Sequence, residues 1–157
     1  MIPQRPNERE MDSEDLAAPS EGFVLTHFLT VSDVGRSRRF YAEVLGGTVT
    51  RDEDPGMVKL ANSWIIMNPG GGPTDDKPDV TLRPPSDPHD ASSFMNIRVA
   101  DIQACYEDWS ARGAQFLTPP IDRGDELRCY MRDPDGYLIE VGQSTGLLQG
   151  LLTESTS

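Results

Sequence analysis

The chain states its folding pattern twice, and that repetition constrains the architecture more than any single motif. "FLTVSDVGRSRRFYAEVLGG" (residues 28–47) and "NIRVADIQACYEDWSARGAQF" (residues 96–116) share one order. A β-branched strand runs into an aspartate able to cap a helix, then an amphipathic segment, then a glycine stop. Superimposing them puts Leu29 on Ile97, Val31 on Val99, Asp33 on Asp101, and Gly46 close to Gly113. Phe40, Tyr41, Val44 and Leu45 follow helical spacing in the first copy, as Ile102, Cys105, Tyr106 and Trp109 do in the second.

Each helix is followed by strand-forming sequence. In the first copy these are "GTVTRDE", "MVKLA" and "SWIIMNP", with a tight turn at Ala61–Asn62–Ser63. In the second, "ELRCYMRD" and "YLIEVGQ" flank an Asp-Pro-Asp-Gly turn and read as a closing hairpin. The Trp64 strand falls on the Tyr137 strand. The expected fold is therefore α+β: two βαβββ repeats, an internal duplication, forming a cupped mixed sheet. The repeats span 23–69 and 92–145, joined by a linker at 70–91. That linker, rich in glycine, proline and aspartate, lacks the Lys-Ser/Thr of a phosphate loop. Within it, "DVTLRPP" is expected to add a brief edge strand. Residues 1–22, charged and poor in large apolar side chains, read as a flexible acidic tail. Residues 146–157 form a second tail, with Leu147, Leu148, Leu151 and Leu152 at helical spacing.

Composition narrows the partners. A net charge of −12 repels nucleic acid and favours cationic small molecules. No apolar run approaches the ~20 residues that cross a bilayer, and the N-terminal residues lack the apolar core of a secretory signal. Cys105 and Cys129 read as small buried residues rather than a disulfide framework. A cytoplasmic protein is expected.

Three segments in order, "THFLTVSDVGRSRRFYAEVLGG", "NIRVADIQACYEDWSARGAQF" and "RDPDGYLIEVGQ", give the chain a resemblance to the vicinal oxygen chelate superfamily. That superfamily includes glyoxalase I, extradiol dioxygenases, fosfomycin-resistance enzymes and bleomycin-binding proteins. The resemblance implies that the two halves enclose a cup and that the protein pairs as a homodimer. It also implies ligands for a divalent metal on the first and last strand of each half. Glu140 matches the last-strand carboxylate position of the second half, so its side chain is expected to face the cup. The equivalent positions hold Thr26, Phe94 and, by the repeat alignment, Met67; His27 lies one residue beyond Thr26. A lone carboxylate is too few donors for a hard cation. The cofactor is thus expected to be none, or a divalent metal held by an atypical set including His27 and Glu140. His89, in the polar linker, reads as a surface residue.

Three functional readings follow. A small organic ligand is held without chemistry in an apolar cup lined by Thr26, Met67, Phe94, Asn96 and Arg98, with Glu140 as polar anchor. Alternatively, Glu140 is a catalytic general acid or base in a glyoxalase-like lyase or isomerase. A metal enzyme using His27 and Glu140 is the third. A structural role, Glu140 pairing with Arg98 or Arg128, competes with all of them. On the closing sheet, alternation separates Arg128 and Tyr130 from Cys129 and Met131, but spacing alone does not decide which pair faces the ligand.

Overall fold

The computed structural model describes residues 24–144. Both expected tails, 1–22 and 146–157, lie outside the described residues. The chain divides between Arg83 and Pro84 into two compact units, and the division falls inside the segment 70–91.

In the first unit, β1 (His27–Thr30) leads to α1 (Val34–Arg39), then β2 (Thr48–Arg51), β3 (Gly56–Leu60) and β4 (Ser63–Asn68). The sheet order is β1-β4-β3-β2, with β1 parallel to β4 and the other pairs antiparallel. Asp33 caps α1, its carboxylate accepting from Arg36 N at 2.9 Å. The helix does not continue as α-helix to Leu45. Phe40–Val44 form a π-helical turn in which Leu45 N donates to Phe40 O at 3.2 Å. That widening frees the Tyr41 carbonyl to accept from Gly47 N at 2.9 Å, which turns the chain into β2. Leu29, Val31, Tyr41, Val58, Ile65 and Met67 make the core of this unit. Gly56 lets α1 pack close to β3, since a Cβ there would stand 2.9 Å from Val34 Cγ1.

In the second unit, β5 (Met95–Arg98) leads to α2 (Ile102–Ala111), then β6 (Gln115–Phe116), β7 (Ile121–Asp122), β8 (Glu126–Arg132) and β9 (Leu138–Ser144). The order β5-β9-β8-β6 reproduces that of the first unit, again with the outer first strand parallel to the last. Here the second strand is broken: β6 and β7 both pair with β8, separated by Pro119 and Pro120, which cannot donate to a ladder. Asp101 caps α2 through Ala104 N at 3.0 Å, and the Gln143 amide oxygen accepts from Ile102 N at 2.8 Å. Ile102, Trp109, Cys129, Met131, Ile139 and Val141 are the buried apolar residues of this unit. Cys105 and Tyr106, expected in the same stripe, are only half-buried; the Tyr106 ring meets Phe116 edge-on, centroids 4.8 Å apart. Cys129 is fully buried, which pushes its thiol up to about 11, away from thiolate chemistry.

The expected strand in "DVTLRPP" is reduced to an isolated bridge between Gly71 and Leu82. Pro84 and Pro85 follow after Arg83, and a residue without N–H cannot extend the pairing.

Candidate functional site

Two matching hydrogen bonds fix the correspondence of the units. Val31 N donates to Asn68 O and Val99 N to Gly142 O, both at 2.9 Å. With those as anchors, the strand registers pair Thr26 with Phe94, Phe28 with Asn96, Leu29 with Ile97 and Thr30 with Arg98. Glu140 then corresponds to Ile66. Met67, expected at this place, corresponds instead to Val141. It pairs with Leu29 and Gly56, is fully buried, and points to the helix-covered side with Ile65. The physical reason is the twofold alternation of a strand, where an alignment slip of one residue changes the face.

On the second unit's other face, one row crosses three strands: Asn96 on β5, Glu140 on β9 and Tyr130 on β8. Asn96 Nδ2 donates to Glu140 Oε1 and the Tyr130 hydroxyl donates to Oε2, each at 2.6 Å. Alternation places Ile139 and Val141 in the core, so Glu140 faces away from α2 while remaining buried. An apolar strand can therefore carry a carboxylate. Its oxygens exchange water for two short donors, the condition under which a buried charge is affordable.

The next row holds Arg98, Gly142 and Arg128. A Cβ at Gly142 would overlap the Arg98 guanidinium, with Cζ only 2.6 Å away, so glycine is what lets Arg98 lie across β9. Arg98 Nη1 thereby reaches Glu126 Oε2 on β8 at 2.8 Å and stands 3.8 Å from Glu140 Oε1. Arg128 Nη1 meets the other Glu126 oxygen at 3.3 Å. Phe94, 45% exposed and two residues before Asn96, stands edge-on to Tyr130, ring centroids 5.7 Å apart. Accepting a hydrogen bond from it, the Glu140 carboxylate holds the Tyr130 phenol above its ordinary pKa; burial adds to this and Arg128 opposes it. The hydroxyl stays protonated and directed at Glu140 near neutral pH.

The remaining expected residues lie in the first unit. Thr26 is exposed and precedes β1, and His27 opens β1 half-buried, with burial lowering its pKa. His89 is exposed in the linker, as its polar surroundings imply. Among the described residues, no group of three or more His, Cys, Asp or Glu side chains is placed to hold a metal ion. The donor chemistry agrees with that. Both Glu140 oxygens already accept strong hydrogen bonds, and the counterpart positions offer Thr26, Phe94 and Ile66 rather than carboxylate or imidazole. These residues do not fit a metal centre of the kind the resemblance implies.

Glu126 and Gly142 were not among the residues expected from the sequence, and Arg128 and Tyr130 were expected only as one of two pairs between which spacing could not choose. The available signal was the register of the closing hairpin. It depends on loop length, and Asp133 makes that loop five residues long by accepting from Asp135 N and Tyr137 N, both at 2.9 Å. Counting from a shorter turn shifts which β8 residues lie beside Glu140.

The family model of the Glyoxalase/Bleomycin resistance protein/Dioxygenase superfamily matches residues 24–141. A lactoylglutathione lyase of Haemophilus influenzae is 27% identical over 133 residues, covering 82% of this chain and 97% of that protein. A probable lactoylglutathione lyase of Vibrio parahaemolyticus is 27% identical over 139 residues, covering 84% and 98%. Among solved structures, a superfamily member from Alicyclobacillus acidocaldarius superimposes with TM-score 0.62 at 15% identity, covering 83% of this chain and 96% of that one. That last likeness is one of fold. No helix among the described residues is long and apolar enough to cross a membrane.

Proposed function

The chain belongs to the glyoxalase/bleomycin resistance protein/dioxygenase superfamily, and from that premise we propose that it binds a small organic molecule on the Glu140 face of its second unit without a protein-held metal. The observation that carries this reading is the saturation of Glu140. With Asn96 on one oxygen and Tyr130 on the other, the carboxylate works as a fixed hub that orients donors. Phe94 and Tyr130 supply an aromatic edge for an apolar body, and Asn96 supplies an exposed amide. The test is thermal unfolding against a library of small metabolites. A true ligand raises the melting temperature by mass action. The rise persists in excess chelator and shrinks in Glu140→Gln, where one oxygen becomes a donor and the hub loses an acceptor. A shift abolished by chelator, or unchanged in Glu140→Gln, overturns the reading.

A second reading is favoured by one specific contact. The 2.6 Å Tyr130–Glu140 pair is a proton-transfer geometry, and the curated relatives are named lactoylglutathione lyases. In this reading the protein is a lyase or isomerase with Glu140 as general base and Tyr130 as its proton partner. Turnover of lactoylglutathione that disappears in Glu140→Gln while the fold persists supports it. Absence of turnover in the wild-type chain removes it. The superfamily also supports pairing with a second copy of the chain, which light scattering of the purified protein tests by mass.

A further inference from the structure

The strands place the charges of the second unit in layers rather than side by side. Glu126 and Glu140 lie beneath, their side chains 11% and 8% exposed, while Arg98 and Arg128 lie above, 26% and 32% exposed. Glu126 is shared: one carboxylate holds two guanidinium groups, through Oε2 to Arg98 at 2.8 Å and through Oε1 to Arg128 at 3.3 Å. Bringing two cations together costs Coulomb energy, and the buried carboxylate offsets that cost before any ligand arrives. The backbone is arranged around this contact, because any side chain at Gly142 would displace the Arg98 guanidinium from its path across β9. Arg128 is further held over the Tyr130 ring, 5.8 Å from its centroid.

We infer that Arg98 and Arg128 form a receptor for an oxyanion, such as a carboxylate or phosphate, carried by the small molecule that this face binds; the inference rests on the binding role proposed above. An incoming group meets hydrogen-bond donors first: the two guanidinium edges and the exposed Asn96 amide. The carboxylates that would attract a cation are covered and already paired. The local geometry therefore reverses the preference expected from the overall charge of −12, because a ligand in contact senses its nearest groups more strongly than screened distant ones. Planar guanidinium edges suit the two oxygens of a carboxylate or phosphate. Tyr130 lies in the adjacent row with Phe94 edge-on to it, and an aromatic or aliphatic body attached to the anion would rest there.

The test uses the full chain, isotope-labelled, titrated separately with benzoate, benzamide, benzylamine and inorganic phosphate while backbone amide shifts are followed. Benzoate is expected to give saturable shifts at Arg98, Arg128 and Gly142, with benzamide weaker and benzylamine weakest. Arg128→Gln is expected to weaken benzoate about tenfold, the loss of one charge-assisted bond. Glu126 keeps Arg98 in that variant, and an unchanged amide spectrum elsewhere confirms the fold. Equal shifts from phosphate and benzoate also support the receptor and assign recognition to the anion alone. Benzoate binding tighter than phosphate supports it and adds the aromatic body. Benzylamine or benzamide binding as tightly as benzoate overturns the oxyanion inference and leaves the small-molecule reading standing. No saturable shift from any of the four overturns the oxyanion inference, and the small-molecule reading then stands or falls on the thermal-unfolding screen alone.

Discussion

One row of the two sheets shows how the same framework carries different chemistry. In the first unit the row reads Phe28, Ile66, Met57; in the second, at the same registers, it reads Asn96, Glu140, Tyr130. The strand order is shared, the aspartate caps are shared, and the helix-covered faces are apolar in both. The opposite face differs in its chemistry. The core face must bury apolar area for each unit to hold together, whereas the other face is at liberty to specialise. In the neighbouring row, Thr30 and Asn68 stand where Arg98 and Gly142 stand in the second unit. The second unit thus holds a long cation and, across from it, the missing side chain that accommodates it.

The sharpest way to break this comparison is to exchange what belongs to each face. Met67→Ala, on the fully buried side, is expected to cost about 2–5 kcal/mol in denaturant unfolding. Its half-exposed neighbour Ile66→Ala is expected to cost well under that; equal losses would mean that the faces have been assigned wrongly. Next in size, Gly142→Ala should expel the Arg98 guanidinium and cost about 1–3 kcal/mol through loss of its contact with the buried Glu126 carboxylate. Asn68→Ala, at the equivalent site, crosses no such side chain and should cost less than about 1 kcal/mol.

Smaller effects separate the units by pH. Tyr130 keeps its proton more tightly folded than unfolded, so above its ordinary pKa near ~10 the unfolded state binds fewer protons and stability falls. The interaction is fully present below that pH and is lost as pH rises through the raised folded value. In Glu140→Gln the phenol's ultraviolet titration midpoint should drop, and that part of the alkaline loss should vanish with it. The opposite limb belongs to His27, whose folded pKa is lowered by burial. Below ~6.5 the unfolded state takes up protons that the folded state refuses, so stability falls on acidification. His27→Gln should flatten this acid limb slightly while leaving the alkaline one intact. If either substitution moves the other unit's limb, the two titrations are not separate.

Much of this architecture was legible in the chain. Asp33 and Asp101, Gly46 and Gly113, and the apolar strands reported the order of elements because caps, stops and alternation are local. The π-helical turn at Phe40–Val44 and the split of β6 from β7 were less so. The first depends on which donor takes the Tyr41 carbonyl, and the second on two prolines interrupting a strand already begun. Within the candidate site, Glu140 stood out as a charge in an apolar run, and Phe94, Asn96 and Arg98 followed from their shared parity. Ile66 was mistaken for its neighbour Met67, and Glu126 and Gly142 passed unnoticed.

The amino-acid sequence by itself determined two copies of one strand–helix–strand order and an acid on the last strand, since these rest on propensities acting over a few residues. Only the tertiary structure decided what that acid does. Its partners come from strands 10 and 44 residues away, and a one-residue change in register would have turned each of them to the other side of the sheet.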